Sequence, residues 1–175
     1  MKKSLLLILL MLLVSSIGNT QSKYPYWSVN VTGGGTLPLG SFGDEYDFGG
    51  NAGVDVVYHI DQFWAAYGNG TYNFLKYKGT TSSSTTASLL EVTAGPRYYI
   101  STGKTKAHLD AGMGLYTQTL GSSSSSNLGM NVGAGIDVPM SKQVDLVAKA
   151  KYHIIFTKGQ STTYGGIYGG VNYNF

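Results

Sequence analysis

From Trp27 onward, apolar side chains recur at every second residue in eight separate segments of about ten residues each. Trp27, Val29 and Val31 alternate with Ser28, Asn30 and Thr32, and Ala52, Val54, Val56 and Tyr58 with Asn51, Gly53 and Asp55. Trp64, Ala66 and Tyr72 oppose Tyr67, Asn69 and Asn73, while Leu90, Val92, Ala94 and Tyr98 oppose Glu91, Thr93 and Arg97. Leu109 to Leu115, Leu128 to Val138 and Val144 to Ile154 repeat the pattern with His108, Asp110, Asn131, Asp137, Asp145, Lys149 and Lys151 on the polar parity. The last segment sets Ile167, Val171, Tyr173 and Phe175 against Tyr168, Gly170, Asn172 and Asn174. A period of two is the signature of half-buried strands, so the chain is expected to be all-β.

The connections alternate in length. His59–Gln62, Ser101–Thr105 and Pro139–Lys142 are tight turns, whereas 36–47, 75–88, 117–127 and 155–163 are longer and rich in Ser, Thr and Gly. Three short turns at one end and four long loops at the other describe an antiparallel up-and-down meander of eight strands, the pattern of a transmembrane barrel with periplasmic turns and external loops. Laid on that meander, Trp27, Tyr58, Phe63, Trp64, Tyr98, Tyr99, Tyr173 and Phe175 gather at the short-turn end. Phe48, Tyr72, Phe74, Tyr77, Tyr116, Phe156, Tyr164 and Tyr168 gather at the other, as two interfacial girdles would. Ser82–Thr86 and Ser122–Ser126 read as flexible, solvated loop tips.

Composition and the first residues narrow the compartment. Lys2 and Lys3 precede an apolar stretch from Leu5 to Val14, followed by small and polar residues. That is too short for a spanning helix, which needs about 20 apolar residues, and fits a secretory signal peptide over residues 1–20, leaving 21–175 as one domain. With no cysteine there is neither an acylated lipoprotein anchor, a disulfide nor a thiolate metal site. The net charge of +3 falls to +1 without Lys2 and Lys3, too little to point to nucleic acid. Charged residues at 12% are about half the usual share, which disfavours an ordinary soluble surface.

The alternating terminal strand YGGIYGGVNYNF, closing on Phe175, resembles the last strand of bacterial outer-membrane β-barrels. With the strand count and loop alternation, the domain resembles the small barrel family typified by OmpX and the OmpA transmembrane domain. The resemblance implies residence in outer-membrane lipid, and recognition of Phe175 as an assembly signal by the barrel assembly machinery.

On this reading the apolar faces meet lipid and the polar faces meet inside. Eight strands enclose a space just wide enough for side chains to fill, so charges there must be paired. Arg97, Lys106, Asp110, Asp137 and Asp145 are expected to form one charge cluster plugging the periplasmic side, with Arg97 able to hold two carboxylates. Glu91, Lys149 and Lys151 are expected higher in the lumen. These charges read as a salt-bridge plug, or as a gate or proton path.

Other chemistry finds little support. Gly103-Lys104-Thr105 imitates the end of a phosphate loop, but Tyr98 stands where the first glycine belongs. His59 and His108 lie near the short turns and His153 near the opposite rim, so neither a metal nor another cofactor is expected. Two small barrel families act on lipid A, and neither pattern is present. The histidines are followed by Ile60-Asp61, Leu109-Asp110 and Ile154-Ile155 rather than a His-x-Ser pair. Gln21 to Tyr26 is too short for an amphipathic N-terminal helix. The expectation is therefore a non-enzymatic barrel with a structural or surface-interaction role. Its first loop, with Asp44, Glu45, Tyr46, Asp47 and Phe48, offers the best surface for an external partner. The alternatives are a narrow pore or gated channel for small solutes and, further off, a lipid-modifying enzyme.

Overall fold

The computed structural model describes residues 24–78, 86–101, 103–157, 159 and 161–175. Eight strands follow in order: β1 (Tyr26–Leu39), β2 (Tyr46–His59), β3 (Trp64–Tyr77), β4 (Thr86–Tyr99), β5 (Lys106–Leu120), β6 (Ser123–Pro139), β7 (Val144–Phe156) and β8 (Ser161–Asn174). One helical turn, α1 (Ser41–Glu45), lies between β1 and β2. Each strand pairs antiparallel with its sequence neighbour, and β8 pairs with β1 to close the barrel. The seam continues past the regular ladder, which stops at Asn174: the Phe175 amide donates to the Trp27 carbonyl at 3.0 Å. A closed sheet leaves no unpaired edge in the hydrocarbon, which is what a spanning β structure requires. Residues 1–23, including the expected signal peptide, lie outside the described residues.

Side-chain parity follows the sequence pattern. Val31, Met113, Leu128, Val132 and Ile167 are more than half exposed, and no apolar layer of the protein covers them. The inward neighbours of Val31 and Val132, namely Asn30, Thr32 and Asn131, are buried. Two short turns owe their shape to side-chain caps. Asp61 Oδ1 accepts from the Phe63 and Trp64 amides at 2.7 and 2.8 Å, and Ser141 Oγ accepts from the Val144 amide at 3.1 Å.

The external side departs from expectation. The strands are 13 to 17 residues long, more than the nine to eleven or so that span a bilayer, so they run beyond it into segments read as loops. Ser123–Ser126, expected in a flexible tip, forms the start of β6, and only Gly121 and Ser122 make the turn, with Gly121 at φ 60°. Composition misleads here because the backbone ladder needs no apolar side chain. Threonine favours strands, and the hydroxyls pair across the hairpin, Thr117 with Ser126 at 2.8 Å and Thr119 with Ser124 at 3.3 Å. Of the other expected tip, Thr86 belongs to β4 and 82–85 lie outside the described residues.

The girdles also need correction. Trp27, Trp64, Tyr98 and Tyr173 at one end, and Phe48, Tyr72, Phe74, Tyr77 and Phe156 at the other, are exposed on the outer face. Tyr99, Tyr116, Tyr164 and Tyr168 are buried inside. Height along a strand does not fix its face, and on the inward parity their hydroxyls or rings meet the polar lumen.

Candidate functional site

The lumen is filled at three levels. At mid-height, Arg97 from β4 makes a fork on Asp110 from β5, Nε to Oδ1 at 2.7 Å and Nη2 to Oδ2 at 2.9 Å. Strand register dictates this pair, because Arg97 and Asp110 stand directly opposite each other. The same guanidinium lies 3.6 Å from Asp55 Oδ2 on β2, reached across the lumen. Lys149 from β7 donates to Asp55 from the other side, with its ammonium 5.2 Å from the Tyr168 ring centre. Asp55 also accepts from Asn69 at 2.6 Å and Asn30 at 3.2 Å. Lys151 stands 3.9 Å from Asp110 and 4.5 Å from the Tyr67 ring centre. Every charged side chain in this layer is 1% exposed or less. Charges so enclosed persist only when paired and hydrogen-bonded.

Toward the periplasmic turns the contacts loosen. Asp145 accepts from Asn172 at 2.9 Å and Asn174 at 2.8 Å, rather than from a cation. Asp137 lies 3.7 Å from His108. Lys106 faces Asp137 in register but donates to the Tyr26 hydroxyl at 3.1 Å. Tyr26 in turn stacks on His59, ring centres 4.1 Å apart.

Toward the outside, Glu91 accepts from Tyr164 at 2.6 Å and lies 3.5 Å from His153. The His153 ring also meets the hydroxyls of Tyr116 at 3.1 Å and Tyr168 at 3.2 Å, and stacks on Tyr164 at 4.2 Å. Toward the external end Phe42, Tyr46, Leu75, Leu89 and Ile155 pack with Tyr116 and Tyr164 in one buried, mainly apolar cluster. Phe42 reaches it because α1 folds back over the barrel, where Lys78 Nζ bonds the Gly43 carbonyl at 2.6 Å.

The eight charges assigned to the lower and upper groups all sit on inward-facing positions, Lys106 only partly buried, but not in the groups expected. Arg97 and Asp110 come together. Lys106, Asp137 and Asp145 form a separate lower level instead of joining them. Lys149 and Lys151 belong to the Arg97 layer, and of the expected upper group only Glu91 stays above. Asp55, with its inward parity, was legible as lumenal; its position at the centre of the network was not. Among the first-loop residues, Tyr46 is buried in the cap, while Asp47 lies 3.5 Å from Lys78 and Phe48 packs over Gly35 on the outer wall. Asp44 and Glu45 remain exposed.

A closed eight-stranded sheet, apolar outside and ionic within, defines the class: an integral β-barrel of the outer membrane. The chain belongs to the outer membrane protein beta-barrel domain family, which matches residues 5–175. Its place is the bacterial outer membrane, surrounded by that membrane's lipid. Neisserial surface protein A is similar over 85% of this chain and 97% of its own, at 22% identity and a TM-score of 0.69. The outer membrane protein OprG from Pseudomonas aeruginosa is similar over 87% and 97%, at 15% identity and a TM-score of 0.56. Ail, the attachment invasion locus protein of Yersinia pestis, solved in complex with the heparin analogue sucrose octasulfate, is similar over 86% and 97%, at 18% identity and a TM-score of 0.52. At these identities the likeness is one of fold. No curated protein matches this chain.

Proposed function

We propose that the chain is a structural and surface-interaction barrel, without enzymatic activity, whose lumen is plugged. One observation carries the reading: Asp55, Arg97, Asp110, Lys149 and Lys151 meet in one buried layer across the lumen, where Arg97 grips Asp110 with two hydrogen bonds. A solute must break that layer to pass. Among the described residues, Asp44 and Glu45 on α1 and the hydroxyl-rich β5–β6 hairpin form an exposed rim available to an external partner. That a barrel of the same fold carries a heparin analogue supports a surface role of this general kind. Single-channel recording in planar bilayers tests the plug. The wild-type barrel should give no unitary steps at moderate voltage, and stable, reproducible steps would put a narrow pore in its place.

Biogenesis is part of the same proposal: residues 1–20 serve as the cleaved export signal, and Phe175 is read by the barrel assembly machinery. Phe175 packs on Tyr173, ring centres 4.9 Å apart, and its amide completes the β8–β1 seam. Deleting it should lower the folded yield in cells, seen as loss of the heat-modifiable band on gels, while folding into vesicles in vitro suffers less. An unchanged yield in cells would remove Phe175 from recognition.

A further inference from the structure

A longer string of groups runs through the plug, shares Asp110 and Lys151 with it and extends beyond it at both ends. Read upward from the periplasmic mouth, it comprises Asp137, His108, Asp110, Lys151, Glu91 and His153. Successive members approach without closing: His108 Nδ1 is 3.7 Å from Asp137, and His108 Nε2 is 3.9 Å from Asp110. Lys151 Nζ is 3.9 Å from Asp110, and His153 Nδ1 is 3.5 Å from Glu91. Lys151 lies within electrostatic reach of Glu91. Such separations are too long for good direct hydrogen bonds. The same residues supply most of the buried polar atoms that have no protein partner among the described residues: Asp137 Oδ1, both ring nitrogens of His108, Lys151 Nζ and Glu91 Oε1. All four residues are at least 96% buried. Buried polar atoms of this kind are satisfied by internal water, and here they fall in file rather than at scattered points.

We propose that this file is a proton path, entered from the periplasmic mouth and closed to the outside by the Phe42 cap. Each step moves one proton between a titratable side chain and a bridging water, and each group returns to its starting state after a proton has passed. His108 suits the role because it can take a proton on one ring nitrogen and release one from the other. Arg97 stays protonated and forked on Asp110, so it holds the lumen against larger ions without joining the relay. At the top, the apolar side chains of Phe42, Leu75, Leu89 and Ile155 pack among Tyr46, Tyr116 and Tyr164 and give water few groups to bond, so the path ends there. The inference rests on the plugged lumen, because only a plug that stops potassium leaves the proton as sole permeant.

Vesicles of phosphatidylcholine and phosphatidylglycerol loaded with a pH-sensitive dye test it. Valinomycin clamps the potential, an acid step is applied outside, and potassium entry is followed in parallel without valinomycin. Folding of every variant is checked by heat-modifiable migration. Phe42→Ala should acidify the vesicles several-fold faster than wild type, with potassium still excluded. Adding His108→Phe should return the rate to that of wild type. Should Phe42→Ala fold poorly, Leu89→Ala thins the same cap from β4 and carries the same expectation. An uncapped barrel no faster than wild type, or one whose proton flux survives His108→Phe, overturns the path. Potassium entry through the wild-type barrel instead overturns the plug beneath it.

Discussion

Arg97→Ala should cost the folded barrel about 3–5 kcal/mol, the range for removing one partner of a buried charge network. The side chain is 1% exposed and makes two short bonds to Asp110. After truncation Asp110 keeps, among the described residues, Lys151 at 3.9 Å and His108 at 3.9 Å, neither a hydrogen bond. Asp55 suffers less, because Lys149, Asn30 and Asn69 still hold it. Arg97→Lys keeps the charge but loses the fork, so it should fall between the alanine variant and wild type. Urea titration of folding into vesicles reads both. A loss below about 1 kcal/mol for Arg97→Ala, the scale of an exposed ion pair, would show that water already screens the network.

Val132→Arg should cost about 2–4 kcal/mol through a different route, a charge placed in hydrocarbon near mid-strand. Val132 is 55% exposed, with Ala111 and Tyr152, neither of them charged, as its register partners. Parity alone would make Asn131→Arg the benign control, since it points inward. The packing argues otherwise. Asn131 is 1% exposed, accepts from Tyr67 at 3.0 Å and donates to Tyr116 at 3.2 Å. An arginine there would have to displace both rings, so the fitting control is Val132→Leu, which should be close to neutral by the same titration. Equal stability of Val132→Arg and Val132→Leu would mean that this face does not meet lipid.

What the sequence discloses follows from how far each contact reaches. Alternation assigns the two faces, and hairpin register assigns neighbours on adjacent strands, so Arg97 with Asp110 was within reach of counting. Asp55 with Lys149, Asp55 with Arg97 and Lys106 with Tyr26 join strands that are not neighbours. They depend on the shear and tilt of the closed sheet, which no local pattern encodes. The apolar cap was hidden for another reason: Phe42 and Tyr46 lie in and beside a segment whose Gly, Ser and acidic residues read as a loop, and only the fold-back of α1 turns them inward. The girdles were over-counted because tyrosine suits a bilayer interface and a hydrogen-bonded interior equally well.

The alternation of faces is the claim on which the barrel, the plug and the path all depend. The chain has no cysteine, so single cysteines can be introduced at each position from Leu128 to Val138 without background. Spin labels attached there report collision with oxygen, which dissolves in lipid, and with a water-soluble nickel complex. Leu128, Met130, Val132, Ala134, Ile136 and Val138 should show high oxygen and low nickel accessibility, and the six should alternate with five positions low in both. Oxygen maxima at the odd positions, or nickel access along the whole strand, would contradict the account.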